Sequence, residues 1–472
     1  MKRPGLYQLI LYTCLAGFLL PNLFTHGIFG DGLIYAVVSR NLAASQGSWW
    51  QLFYSEQLFN PFVEHPPLMF WLESCWFRLL GDHHWTEKSF SLLLGIVMVF
   101  SLRHFWQKLA DVHQWKESWW FPVLLWILVP TIHWAYPNNM LENLLVLFTS
   151  WAIWLGYQSN GLKSAFGLGW LVFFAFMTKG VVGLFPLAVY GIRQLVFKNI
   201  GWSKTISWSF FALAGFFLPF ALSLLISAAR ENWQLYFEVQ LFATLQGERA
   251  VQDHIVGLSR FYLIGRLFTE LFNPLLISGL LLLAAKAWRQ TYHFHADTKR
   301  HSYFFLLVAL SATLPLLISP KQHSFYLIPA IPWFVFALGL YVAPLIRKRL
   351  DSWPQNHWAY KITYGVFMLL FVTAFVLTIL RAERYSRDEI LLREIPRLAT
   401  ELDFAEGVSI SQPLLRHHSL HGYLQRYHKL NLNMEDTTAA YWITEKDSLA
   451  PFGYTLPKLQ LTNYTIWAKA EN

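Results

Sequence analysis

Residues 362–380 read ITYGVFMLLFVTAFVLTIL, a run from Ile362 to Leu380 without a single charged side chain. At about 1.5 Å of rise per residue, a helix of this length crosses a hydrocarbon core about 30 Å thick. The run stops at Arg381-Ala382-Glu383-Arg384, and beyond it charges recur every few residues. One stretch therefore marks both a membrane span and the end of the membrane-spanning part of the chain. The preceding sequence repeats the pattern: of 472 residues, 55% are hydrophobic, 18% aromatic and only 14% charged, with a mean hydropathy of +0.34. A water-soluble protein of this size needs far more charge to cover its surface.

Working outward, apolar runs of spanning length number about eleven. They centre on Leu6 to Phe24, Phe90 to Phe105, Trp119 to Ala135, Met140 to Tyr157, Ala165 to Thr178, Val181 to Phe197, Trp208 to Ser227, Phe268 to Ala285, Tyr303 to Ser319, Phe325 to Ala343 and Ile362 to Leu380. The fifth and sixth are short and meet at Lys179-Gly180, which reads as a hairpin. Lys2 and Arg3 precede the first run and no small-residue cleavage site follows it, as in a retained signal-anchor.

Loop charge sets the orientation. With the N-terminus inside, the inner loops hold Arg103, Lys108, Lys116, Lys163, Arg193, Lys198, Lys204, Lys286, Arg289, Lys299, Arg300, Arg347, Lys348, Arg349 and Lys361. The short outer turns hold almost none beyond Lys179 and Lys321, which is the positive-inside bias. The net charge of +9 is thus a membrane signature. No basic face with interleaved aromatics points to nucleic acid. Cys14 and Cys75 imply no disulfide framework.

The fold class expected is a polytopic α-helical membrane protein, residues 1–380, with two long outer loops at 26–89 and 229–266. Residues 381–472 form a small external α/β domain. In the first loop, Leu33 to Ala44 and Pro67 to Leu80 show helical spacing suited to the membrane interface.

The conspicuous ionisable residues collect on the outer side: Asp31, Glu64 and His65, Glu142 after Pro137-Asn138-Asn139, Lys179, and Lys321 with His323. Each has a plain structural alternative. Asp31 can cap the helix that begins near Leu33, Glu142 can sit in a helical first turn where the macrodipole favours it, Lys179 and Lys321 can anchor at the interface, and His65 can be a satisfied structural histidine. Taken together they suit group transfer from a phosphate-bearing lipid, which needs a base for an acceptor hydroxyl and cations for the leaving phosphate. Asp31 supplies the base; Lys179, Lys321 and His65 supply phosphate donors; Glu64 or Glu142 can orient the acceptor or hold a divalent cation through oxygen.

An ordered set of short motifs then becomes visible: Asp31 with Tyr35; Glu64-His65-Pro66-Pro67-Leu68 with Trp71; Asn139-Met140-Leu141-Glu142; Thr178-Lys179-Gly180; and Pro320-Lys321 leading to Tyr326-Leu327-Ile328-Pro329 with Pro332. In this order, over about the first 345 residues, the chain resembles the GT-C membrane glycosyltransferases. The resemblance is to their bacterial branch of lipid A aminoarabinose transferases and protein O-mannosyltransferase-like enzymes. It implies a bacterial inner-membrane protein with a cytoplasmic N-terminus and a periplasmic C-terminus and active site. It also implies an undecaprenyl-phosphate sugar donor, inversion at the anomeric carbon, and a lipid A, glycan or protein acceptor. Carried over by position, Asp31 and Glu142 resemble the catalytic acidic positions, and Glu64 a metal or acceptor contact. Tyr35, His65, Lys179, Lys321 and Tyr326 fall on the donor-phosphate side. His65 and Ile34 depart from the Lys and Arg common in aminoarabinose transferases, so two phosphate contacts are altered or moved. Two other classes remain in view: a transporter or lipid flippase, and a non-catalytic envelope assembly factor acting through residues 381–472.

Overall fold

The computed structural model describes residues 5–110, 116–158, 160–242, 261–287, 296–319, 322–350 and 357–470. In chain order the helices are α1 (Leu6–Leu19), α2 (Gly30–Ala43), α3 (Leu68–Leu80), α4 (Thr86–Ala110), α5 (Trp120–Ile127), α6 (Pro130–Ala135), α7 (Glu142–Gln158), α8 (Leu162–Lys179), α9 (Val189–Phe197), α10 (Trp202–Ser223), α11 (Ser227–Leu235), α12 (Tyr262–Ala287), α13 (Ala296–Thr313), α14 (Ile331–Leu350), α15 (Trp358–Leu380), α16 (Glu389–Glu401) and α17 (His418–Tyr423). The strands are β1 (Val408–Ile410), β2 (Asn433–Met434), β3 (Tyr441–Glu445), β4 (Tyr454–Gln460) and β5 (Tyr464–Lys469). Two compact units result: residues 1–23 with 91–380, and residues 24–90 with 381–472.

The first unit is a helical membrane body. Among the described residues, 6 helical segments are long and apolar enough to cross a membrane: Thr86–Leu109, Leu162–Phe197, Trp202–Ser223, Tyr262–Ala287, Asp297–Ile318 and Trp358–Leu380. Leu6–Leu19 and Ile331–Ala343 are apolar but shorter. The chain reverses after α8, because Gly183 in the 3-10 segment Gly180–Ala188 lies against the α8 backbone, where a Cβ would come within 2.6 Å of the Ala175 carbonyl carbon. Helices α8 and α10 also pack backbone to backbone, with Gly169 against Ala212 and Gly215 against Phe166. Small residues permit this approach where lipid gives helices no hydrophobic reason to associate. Pro130 ends the α5 direction and starts α6 at its first position, where its missing N–H costs nothing.

The second unit divides the chain differently from the sequence expectation of a C-terminal domain alone. Its sheet has the order β2-β1-β3-β5-β4, with β1 parallel to β2 and β3, and β5 antiparallel to β3 and β4. Helices α16 and α17 cover it with Leu391, Leu392, Ile395, Leu398 and Leu420, and the same core takes in Ile28 and Leu33 of the first outer loop. Gly422 lets α17 close on α2, since a Cβ there would meet Leu33. The Tyr423 hydroxyl donates to the Ile28 carbonyl at 3.2 Å and to Asp388 at 2.7 Å. The physical reason for the different division is that neither segment buries its apolar face without the other.

His421 lies in this core, 4% exposed, and burial holds its pKa down at about 4, with His418 and His417 adding and the Leu414 carbonyl opposing. Its folded value is below the unfolded value of about 6.5, so as pH falls the unfolded chain takes the proton first. The stabilisation is full above about pH 6.5 and is lost as pH falls toward 4. Hydrogen exchange in residues 408–430 should therefore accelerate across that window in the wild type, and a His421→Asn variant should flatten the dependence. An equally steep profile in the variant would remove His421 as the cause.

Candidate functional site

In the second unit, α2 begins at Gly30, so Asp31 lies within the first helical turn and Phe29 holds the N-cap position. The capping alternative for Asp31 is thereby corrected, because the helix starts earlier than the apolar spacing from Leu33 suggested. The Asp31 carboxylate is half-buried, and no hydrogen bond or ion pair engages it among the described residues. One turn further, on the same helical face, stands Tyr35, 3% exposed. Its hydroxyl shares a hydrogen bond with Nε2 of His65 at 3.0 Å, and the two rings meet edge to face at 5.5 Å. Glu64 is the adjacent, half-buried residue, leading through Pro66 and Pro67 into α3. Asp31, Tyr35, Glu64 and His65 are all carried by this unit.

The same unit carries a polar frame around α2. Ser39 donates to Glu73 at 2.6 Å where α2 meets α3, both side chains being buried. Arg40 donates to the Gln425 carbonyl at 2.8 Å. Burial, with Arg426 nearby, pulls the Arg40 pKa down to about 10 against the opposing charges of Asp82 and Glu87.

In the membrane body, Glu142 opens α7 and forms an ion pair with Lys179, the last residue of α8. The side chains are 1% and 8% exposed. The ammonium lies over the ring of Tyr326 at 4.9 Å and that of Phe325 at 5.2 Å. Asn139 at φ +50° turns the chain before Glu142, and Asn143 secures the turn by donating to the Ala135 carbonyl at 3.1 Å and to Ser91 at 2.7 Å. Gly180, at φ +62°, follows Lys179 with the Tyr236 hydroxyl packed where a Cβ would stand. Lys321 falls outside the described residues, as does the stretch 243–260 of loop 229–266.

Because a buried charge left without its partner is costly, Lys179→Met should destabilise this unit by about 3–5 kcal/mol. Glu142→Gln with Lys179→Met should recover much of that loss, which thermal unfolding in detergent would read. A double variant no more stable than Lys179→Met would show that the pair does not couple.

One carboxylate escaped the sequence analysis. Glu270 lies inside the apolar run of α12, 2% exposed, and accepts from the Thr131 amide at 2.8 Å and from Arg266 at 3.1 Å. It thereby supplies the acceptor that the N-terminus of α6 lacks. An acidic residue within a span was signal enough to single it out. With both oxygens engaged it ties α12 to the N-terminus of α6.

No family model matches the sequence, and no curated protein matches it. Solved structures do. The crystal structure of ArnT from Cupriavidus metallidurans bound to undecaprenyl phosphate matches with a TM-score of 0.68 at 15% identity, over 98% of this chain and 97% of that one. The apo state of the same protein matches at 0.62 and 16%, with the same coverage. The archaeal oligosaccharyltransferase AglB from Archaeoglobus fulgidus aligns at 0.49 and 8% identity, over 93% of this chain and 69% of that one. The ArnT likeness, end to end, establishes a shared fold.

Proposed function

We propose that this chain is a GT-C glycosyltransferase that moves a sugar from an undecaprenyl-phosphate carrier to an acceptor hydroxyl at the external face of a bacterial inner membrane. The observation that carries the reading is the Asp31 carboxylate: uncommitted, held on a buried helix, one turn from the Tyr35–His65 pair. The end-to-end fold likeness to a protein crystallised with undecaprenyl phosphate supports it.

In the proposed reaction Asp31 takes the acceptor proton as the acceptor oxygen attacks the anomeric carbon. The bond from that carbon to the phosphate oxygen breaks, and the carrier phosphate leaves with the electron pair and with inverted configuration at the sugar. Tyr35 and His65 are assigned to hydrogen-bond the phosphate, and Lys179, Lys321 and Tyr326 to the same lipid-phosphate role. Glu142 orients Lys179 and is kept as the second acidic position. Charge placed in advance where it develops accounts for a large share of the rate in such chemistry.

A divalent cation at Glu64 fits the described residues poorly. Glu64 brings one carboxylate, and its neighbour His65 has Nε2 engaged by Tyr35. No step is derived through a metal there, and Glu64 is assigned to acceptor contact.

The test is mass spectrometry of lipid A, other envelope glycans and envelope proteins from cells with and without the protein. One sugar mass should be gained in a single acceptor class. Unchanged masses in all three classes, with the protein inserted, would overturn the proposal.

A further inference from the structure

Away from Asp31, the second unit brings two imidazoles and a carboxylate together. His26 Nε2 lies 2.9 Å from one oxygen of Glu383, and His84 Nε2 lies 3.5 Å from the other. The two imidazole rings stack at 4.2 Å, and one ligand atom from each of the three residues falls within 4.8 Å of the others. Among the described residues this is the group of three or more such side chains that has metal-binding spacing.

We propose that His26, His84 and Glu383 form a binding site for a divalent transition metal of the zinc class. Two ligands on a tetrahedral zinc, at bonds of about 2.0–2.1 Å, stand about 3.3 Å apart, which the observed separations of 2.9 and 3.5 Å bracket. Imidazole nitrogen with one carboxylate selects zinc and its neighbours over calcium or magnesium, which prefer all-oxygen sets. Metal binding displaces the protons now shared within the cluster, including the contact of His84 Nε2 with the Phe24 carbonyl at 3.1 Å.

The site is built by backbone as well as side chains. The Glu383 amide donates to the Phe24 carbonyl at 2.9 Å, the His26 amide to the Arg384 carbonyl at 2.7 Å, and the Ser386 amide to the His26 carbonyl at 2.8 Å. Glu383 itself is held at φ +61°, a left-handed conformation that a non-glycine residue adopts at a cost. The His imidazoles are largely shielded, with side chains 24% and 16% exposed, whereas the Glu383 side chain is 71% exposed. The three residues come from three separate stretches of this unit, at 26, 84 and 383. A metal here would staple those stretches together.

The test uses the full chain, purified in detergent, freed of any tag and stripped with chelator. Zinc is titrated against a chromophoric chelator, and thermal unfolding is followed with and without zinc. One tight equivalent and a raised midpoint are expected for the wild type. His84→Asn should abolish both, and Glu383→Gln, a substitution at an exposed side chain that should not disturb folding, should weaken binding at least about tenfold. Glu64→Gln should retain the site, which separates it from any cation near Asp31. Absence of a tight equivalent in the wild type, or equal zinc binding by wild type and Glu383→Gln, would overturn the proposal.

Discussion

Asp31→Asn is expected to insert and fold as the wild type does and to lose sugar transfer by about 10²–10⁴-fold, the range removed with a general base. The amide is nearly isosteric and Asp31 makes no bond among the described residues, so α2 loses only a first-turn charge, a matter of about 0.3–1 kcal/mol. What it cannot do is accept a proton from the acceptor hydroxyl. The measurement is transfer from an undecaprenyl-phosphate sugar in membranes, with protein amount and thermal midpoint matched to wild type. The loss should fall on kcat more than on KM, because a base acts in the transition state. Transfer at the wild-type rate would remove Asp31 from the reaction and leave the fold likeness without a catalytic residue in this unit. Tyr35→Phe gives a smaller, complementary loss by freeing the His65 contact.

Arg426→Met is expected to cost the second unit about 3–5 kcal/mol. The Arg426 guanidinium, 3% exposed, donates to Asp82 at 2.5 Å, to Glu87 at 2.8 Å and to the His83 carbonyl at 2.6 Å, and faces the Phe77 ring at 5.1 Å. Burial alone would lower its pKa, but Glu87 and Asp82 outweigh burial and the net direction is up. Substitution leaves Glu87, 1% exposed, as a buried charge without its cation. Arg426→Lys should rescue only part, since an ammonium cannot serve two carboxylates and a carbonyl as the planar fork does. Adding Glu87→Gln to Arg426→Met should restore part of the stability by removing the stranded charge. Thermal unfolding with limited proteolysis of residues 381–470 reads each variant, and an unchanged midpoint in Arg426→Met would show that the cluster contributes nothing.

The candidate residues were unevenly legible in the sequence. Glu142 and Lys179 stood out individually because charge beside a span is expensive, yet nothing local said that they pair across 37 positions. Tyr35 and His65 were named from motif order, and the hydrogen bond between them is a property of the folded loop. Glu270 was overlooked inside a strongly apolar run. Arg426, His26, His84 and Glu383 lay in polar stretches, where ionisable side chains are ordinary and carry no signal.

By itself, then, the sequence determined that this is a helical membrane chain whose apolar spans end at Leu380, with a charged α/β segment after it and a long polar loop near its start. Those properties follow from local hydropathy and side-chain period, which are read over one or two turns of chain. Only the tertiary structure decided that this loop and the C-terminal segment are one unit, with Ile28 and Leu33 in the core of the sheet. It also decided that Arg426 neutralises carboxylates as far as 344 residues away. Such contacts exist because two incomplete apolar faces and a buried charge each require a partner, and no local pattern names it.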